Sequence, residues 1–513
     1  FLDLDELQGG GLSKLQEVRA AIADFRKAGK KVIAAADSYS RDGYHLAAAA
    51  DEIHLHPEGL MLLEGFGLWQ PYFKAGLDKY EIDWHVFRVG EYKSAVEPFL
   101  LNEPSPEARE EYLDVMGDLW GSYLADIAAG RKLPVPAVRS AIDDITARLG
   151  AAGGDFARAA LQARLVDRLS QRDEVEKRLI ELVGEEEEGR GEDDPPTFRQ
   201  VSVDDYLKAR RLRPERPGSG DAVGVIVASG EILDGEQPPG TIGGDSTAEL
   251  IRQARHDEDI KAIVLRVDSP GGSAFASEVI RRELVLARKE GKPVVVSMGT
   301  LAASGGYWIS TASDEIWASP NTITGSIGIF GMFPTIEKPL EKYLGVRVDG
   351  VGTNWLAGAL NPARPLDPRA GQLIQSIVND GYQDFLKRVA EARKKTVAEV
   401  DSIARGRIWS GADAKRLGLV DQLGGVDQAI ASAGKRAKIE GKPRVVWVEK
   451  ELTWQENLAR EAFSSAAPLL GKARAARGNA ATASLRKMEK DLKALAAWND
   501  PNGVYAHCMC GGW

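Results

Sequence analysis

Between residues 222 and 297, unbroken apolar runs alternate with an amphipathic one. AVGVIVASGEI (222–232), AIVLRVDSPGG (262–272) and PVVVS (293–297) show almost no polar alternation, whereas Ala276–Lys289 has helical spacing. Runs without alternation are strands buried on both faces, and their succession with helices is the pattern of parallel βαβ units. The pattern predicts an α/β domain around a parallel sheet. Two of its strands run into small residues. One leads to the turn DSPGGS (268–273), and the other to LAASGGYWIS (301–310), where Ser304 stands at a strand-to-helix turn.

The pattern occurs twice. RKAGKKV (26–32) returns as RKEGKPV (288–294), GYHLAAAADEIHLHP (43–57) as GYWISTASDEIWASP (306–320), and RLVDRLS (164–170) as GLVDQLG (418–424). The order and the displacement of 254 to 263 residues are kept, so the chain reads as two diverged copies of one fold. FLDLDELQGGG at the start aligns with IVLRVDSPGGS, which leaves the first copy without its first strand. The expected division is an N-terminal repeat over 1–195, a linker over 196–221, a C-terminal repeat over 222–450 and a helical extension over 451–513. The acidic, proline-containing run at 183–202 reads as a solvated connection.

The 513 residues are 43% hydrophobic and 28% charged, as in an ordinary globular protein. A net charge of -10 argues against nucleic acid as a partner. No run approaches the 18 apolar residues of a membrane span. The chain starts at Phe1, inside a strand, and is expected to be a fragment or processed form whose upstream signal or anchor lies outside it. The two cysteines, Cys508 and Cys510, are too few for a disulfide framework or a zinc site and are given no part in the chemistry.

The copies differ where chemistry is concerned. ASGGY (303–307) is matched by SRDGY (40–44), so Ser304 faces Arg41 and Gly305 faces Asp42. VGEYKSAVEPF (89–99) is matched by VGTNWLAGAL (351–360), so Lys93 faces Trp355. Each copy holds one reactive group that the other lacks, which suggests one composite site. A serine hydroxyl needs a base to take its proton. None of the six histidines lies in the serine segment, and His45 sits in the copy without the serine. A Ser-His-Asp arrangement stays open, because its members need not be near in sequence. Lysine serves as base when burial disfavours its charged form. Tyr92, Ala95, Val96 and Phe99 suit that, while Glu91 and Glu97 have to face away. The amides of Gly272 and Gly305 are candidates for an oxyanion hole, and Ser326 in TGSIG (324–328) is a candidate to orient the amine. Taken singly, SGGY is also a tight strand–helix junction, SPGG a turn, and a lone lysine a solvated surface group.

The ordered set VDSPGGS, SMGTLAASGGYWISTASDEIWASP, TGSIGIFG and GEYKSA resembles the signal peptide peptidase A family in its long, internally duplicated form. The resemblance spans nearly the whole chain. It implies a Clp-protease/crotonase-like fold of repeated ββα units and a serine endopeptidase that needs no cofactor. Its substrates would be hydrophobic peptides, the remnants of cleaved signal peptides. The family's nucleophile falls on Ser304, its general base on Lys93, the serine that positions the lysine on Ser326, and the oxyanion amides on Gly272 and Gly305. An inner-membrane anchor upstream of this sequence, a catalytic part facing the periplasm, and a bowl-like homotetramer are further implied. Two rivals stay in view. A crotonase-type acyl-CoA enzyme would use the glycine amides for an enolate. A non-catalytic scaffold would leave Ser304 and Lys93 out of reach of each other.

Overall fold

The structure is a computed structural model and describes residues 1–7, 9–186, 196–212, 220–450, 489, 497–508 and 510. Its chain contacts divide it into two compact units. One is formed by Phe1–Gly67 and Met116–Gly220, the other by Leu68–Val115 and Asp221–Gly512. The Lys93 segment therefore lies in the first repeat by sequence and packs in the body built from the second.

In the first unit, Leu2–Asp3, Ile33–Ala36, Glu52–Leu55 and Arg168–Leu169 pair in that order as a parallel sheet. In the second unit the long strands are Ala222–Ser229, Ile260–Ser269 and Val294–Ala303, all parallel, with Arg444–Trp447 beside the first. Their apolar runs lack alternation because both faces are covered. Val223, Val225, Ala262, Val264 and Val295 pack on Ala429, Ile430 and Ala433 of the helix Val426–Arg436. Ile263, Leu265, Val267, Val294 and Val296 join the core of Ile280, Leu284 and Ala287 on the helix Ala274–Lys289. Each fully buried Val, Leu or Ile contributes about 1.5–3 kcal/mol, so the sheet is secured from both sides.

The α/β expectation and the tandem repeat are both realised, and the copies keep the same polar ties. Asp51 and Asp314 each accept from a backbone amide at the start of a strand, of Val32 and Val294, at 2.9 Å. Asp167 accepts from Ile53 N and Asp421 from Ile316 N, at 2.9 and 2.8 Å. Each of these two is also paired with an arginine, Arg131 and Arg393. The hydroxyls of Tyr44 and Tyr307 donate to the carbonyls of Leu165 and Leu419.

A second sheet in this unit runs Asp83–Val89, Ile329–Thr335, Val504–His507, Gly271–Ser273, Ile232–Leu233, Ile242–Gly243. It gathers the lysine segment, the glycine turn and the chain's last strand. Two expectations differ here. Where a helical extension was expected, Val504–His507 form a strand, since the chain reverses at Gly503 (φ 65) and continues as Val-Tyr-Ala-His, a pairing-competent run. The expected linker contains a helix, Val203–Leu212, started by the Ser202 hydroxyl accepting from Asp205 N. The acidic run at 187–195 and, of the helices expected from Leu452 to Trp498, residues 452–488 and 490–496 lie outside the described residues.

Candidate active site

Ser304 follows the last residue of the strand Val294–Ala303 and precedes the helix Gly305–Ser310. Its amide donates to Gly325 O and its carbonyl accepts from Trp308 N, both at 2.8 Å. Between these anchors its backbone has φ 57 and ψ -112. That is the first central position of a type II′ turn, a conformation that costs a non-glycine residue about 1–3 kcal/mol. The strained turn keeps the hydroxyl from capping the helix. Its Oγ lies instead 2.8 Å from Lys93 Nζ.

Lys93 reaches it through strand register. Asp83–Val89 pairs antiparallel with Ile329–Thr335 along its whole length, Val89 opposite Ile329. Ser326 is three residues before Ile329, so the chain beyond Val89 arrives beside Ser326. The Lys93 turn is fixed by Tyr92 N donating to Arg405 O at 3.1 Å and by the Arg88 guanidinium donating to Lys93 O at 3.0 Å. Lys93 Nζ is also 2.9 Å from Ser326 Oγ and 3.1 Å from Ser326 O. Lys93, Ser304 and Ser326 are 1, 0 and 2% exposed. Burial pushes the lysine down to about 7, and the carboxylate of Glu111 acts in the opposite direction. The two nearer glutamates are occupied elsewhere. Glu91 pairs with Arg405 at the surface, and Glu97 accepts from Ser105 N and its hydroxyl.

The glycines converge on the same place. A Cβ built on Gly305 would lie 3.1 Å from Gly271 Cα, so the two backbones touch. Gly272 has φ 155, and a Cβ there would lie 2.0 Å from Ile232 O, so only glycine fits. Ser273, next in line, caps the helix Ala274–Lys289 through Ala276 N. Against this turn lies the strand Val504–His507, antiparallel to Gly271–Ser273 on one side and to Ile329–Thr335 on the other. The carbonyl of Ala506 would be 2.0 Å from a Cβ on Gly271 and 3.1 Å from one on Gly305. Cys508 donates its amide to Pro270 O, and it is disulfide-bonded to Cys510.

All five residues singled out in the sequence, Lys93, Gly272, Ser304, Gly305 and Ser326, fall in this one region. His45 lies in the other unit, against Asp126. Trp355, which matches Lys93 in the second repeat, is 42% exposed. Two features were not found in the sequence. Glu111 resembles any acidic residue on a solvated helix face, and Val504–His507 is a short run at the end of a segment with helical composition. Among the described residues no group of three or more His, Cys, Asp or Glu is arranged to hold a metal ion, and no helix is long and apolar enough to cross a membrane.

The family model of peptidase family S49 matches residues 24–185 and again 286–440. The chain is 43% identical to Protease 4 of Salmonella typhi, over 99% of its own length and 80% of that protein's. It is 38% identical to Protease 4 of Haemophilus influenzae, over 99% and 82%. It is also 30% identical to the chloroplastic serine protease SPPA of Arabidopsis thaliana, over 88% and 64%. Among solved structures, a point mutant of ClpP1 from Listeria monocytogenes aligns with 39% of this chain and 91% of its own, at 15% identity and a TM-score of 0.27.

Proposed function

We propose that this chain, which belongs to peptidase family S49 and is a serine peptidase, hydrolyses extended hydrophobic peptides with Ser304 as nucleophile and neutral Lys93 as general base. The observation that carries the reading is the buried contact of Lys93 Nζ with both Ser304 Oγ and Ser326 Oγ, at 2.8 and 2.9 Å. In the neutral lysine the amine lone pair receives the hydroxyl proton across that 2.8 Å. The alkoxide attacks the peptide carbonyl, and the oxyanion is held by the amides of Gly272 and Gly305. The ammonium returns its proton to the leaving amine. Water, deprotonated by the same lysine, then hydrolyses the acyl-enzyme. Ser326 Oγ and its carbonyl keep the amine aimed while it is neutral.

The substrate is an extended strand placed between Gly271–Ser273 and Ile329–Thr335. Support comes from Val504–His507, which pairs with both of those strands. Remnant signal peptides fit this slot by their apolar character and small side chains. By its resemblance the protein works at the bacterial inner membrane, on the periplasmic side, through an anchor outside this sequence. It assembles with copies of itself, as a homotetramer in the resemblance. An exposed apolar arm supports assembly: Val351, Trp355, Leu356 and Leu360 are exposed in the stretch that matches the lysine segment of the first repeat.

The test is hydrolysis of a short fluorogenic Ala/Leu peptide by the wild type, Ser304→Ala and Lys93→Ala, each confirmed folded by circular dichroism. Activity lost in both variants is expected. Activity surviving in Lys93→Ala would remove the lysine from the mechanism.

A further inference from the structure

Glu111 is a buried carboxylate that the mechanism above leaves unused. It lies on the helix Pro106–Arg131 and is 1% exposed. One of its oxygens accepts from Ser94 Oγ and the other from Ile408 N, each at 3.0 Å. These two partners belong to the two arms of the site. Ser94 adjoins Lys93. Ile408 follows Arg407, whose carbonyl accepts from Ser326 N at 2.7 Å. The arms are pressed together between the same residues: Gly406 has φ 87, and a Cβ there would lie 2.5 Å from Lys93 N.

The charged and titratable groups facing Glu111 are Lys93, the Arg407 guanidinium and the Tyr112 phenol. The Tyr112 hydroxyl is 2.7 Å from Ser94 Oγ, and Arg407 is held against the same helix by Glu110 and Asp114. A buried carboxylate is costly unless it is bonded and paired, and this one has both oxygens engaged. Burial lifts its carboxyl to about 8.

We propose that Glu111 is a positioning residue of the Ser304–Lys93–Ser326 site. It clamps the Lys93 turn to the segment that fixes Ser326. The inference rests on the reading of Lys93 as general base. It adds a group that touches neither substrate nor nucleophile.

The experiment uses the full chain and the fluorogenic Ala/Leu peptide. It measures kcat and KM across pH for Glu111→Gln, Glu111→Ala, Lys93→Ala and the exposed control Asp118→Asn, together with Tm. Glu111→Gln keeps the shape but only one acceptor oxygen, so it holds Ser94 Oγ or Ile408 N and not both. Its kcat is expected to be lower by about tenfold, with KM within about twofold of wild type. Glu111→Ala removes the clamp altogether, and its kcat is expected to fall about a hundredfold. Asp118→Asn should behave as wild type. If Glu111→Gln keeps the wild-type kcat, the inference is overturned, even where its Tm is lower, because a merely structural carboxyl would behave that way. Should Glu111→Ala fail to fold, Glu111→Gln decides alone. An active Lys93→Ala would instead refute the lysine reading itself. An inactive Lys93→Ala beside an unchanged Glu111→Gln would refute only the role of Glu111.

Discussion

The two repeats make the same turn in opposite ways. In the first, Ser40 has extended backbone (φ -74, ψ 168), and its hydroxyl accepts from Gly43 N at 3.1 Å as the cap of the helix Arg41–Ala47. Arg41, the residue that matches Ser304, simply opens that helix. In the second, Ser304 stands just before the helix Gly305–Ser310, held in a glycine-like conformation and making no cap. The surrounding scaffold is unchanged: Tyr44 and Tyr307 donate to matched carbonyls, and Asp51 and Asp314 accept from matched backbone amides. One turn uses its serine hydroxyl as a cap, and the other leaves its serine hydroxyl against Lys93. The framework common to both turns is what allows the second to be strained.

The sharpest break of this comparison is at Lys93, which lies against Ser304 and has Trp355 as its match in the second repeat. Lys93→Met should cut kcat by about 10²–10⁴ and yet leave the protein no less stable near neutral pH. The sign follows from burial, which holds the folded-state lysine at about 7, below its ordinary 10.5. Between those values the unfolded chain binds more protons, so wild-type stability rises with pH across that window. The penalty of burying the ammonium is full below about pH 7 and absent above about 10.5. The methionine variant should therefore gain most in acid, by a few kcal/mol as an order of magnitude, measured as denaturation midpoints at several pH values. A variant that loses stability at every pH would contradict a desolvated lysine.

The same number sets the activity profile. With Lys93 as the proposed base, only its neutral form can take the serine proton, so log kcat/KM for the fluorogenic peptide should climb with unit slope below about pH 7 and level off above it. A limb near pH 10 would mean an exposed, ordinary lysine.

How much of this could be read from the sequence depends on the range of the interaction. Unbroken apolar strands reported a two-sided sheet because burial on both faces leaves no polar alternation. Internal duplication made Arg41 against Ser304 and Trp355 against Lys93 visible without any structure. Neither signal could reveal register. That Val89 sits opposite Ile329, and so brings Lys93 to Ser326, depends on pairing across some 240 residues. Glu111 was hidden for a different reason. Its helix also carries Glu107, Glu110, Asp114 and Asp118, and only the arrival of Ser94 and Ile408 turns one acidic position among them into a buried junction. Val504–His507 carries four residues of pattern, too few to separate a strand from the end of a helix.

That last strand offers a smaller test. If substrate is bound between Gly271–Ser273 and Ile329–Thr335, Val504–His507 has to leave first. A chain ending at Gly503 keeps Asp500, which accepts from Ser273 Oγ and Phe275 N at the start of the helix Ala274–Lys289. It should therefore stay folded, and its KM for the fluorogenic peptide should fall several-fold with kcat little changed. An unchanged KM in a folded truncation would mean that substrate lies elsewhere.

The smallest effects bear most directly on the two serines. Ser40→Ala removes a cap and should cost about 1 kcal/mol with no change in activity, because its turn takes no part in the chemistry. Ser304→Gly removes the proposed nucleophile and also the clash of a side chain at φ 57. Relief of about 1–3 kcal/mol of strain, set against the about 0.5–1 kcal/mol that glycine costs in chain entropy, leaves a net gain of about 1 kcal/mol. Ser304→Ala, equally inactive, retains a Cβ at the same angle and gains nothing from the backbone. Thermal melts of the three variants thus separate strain from loss of the hydroxyl. If glycine and alanine at 304 melt together, the turn is not strained in solution, and the contrast with Ser40 reduces to which serine has a lysine beside it.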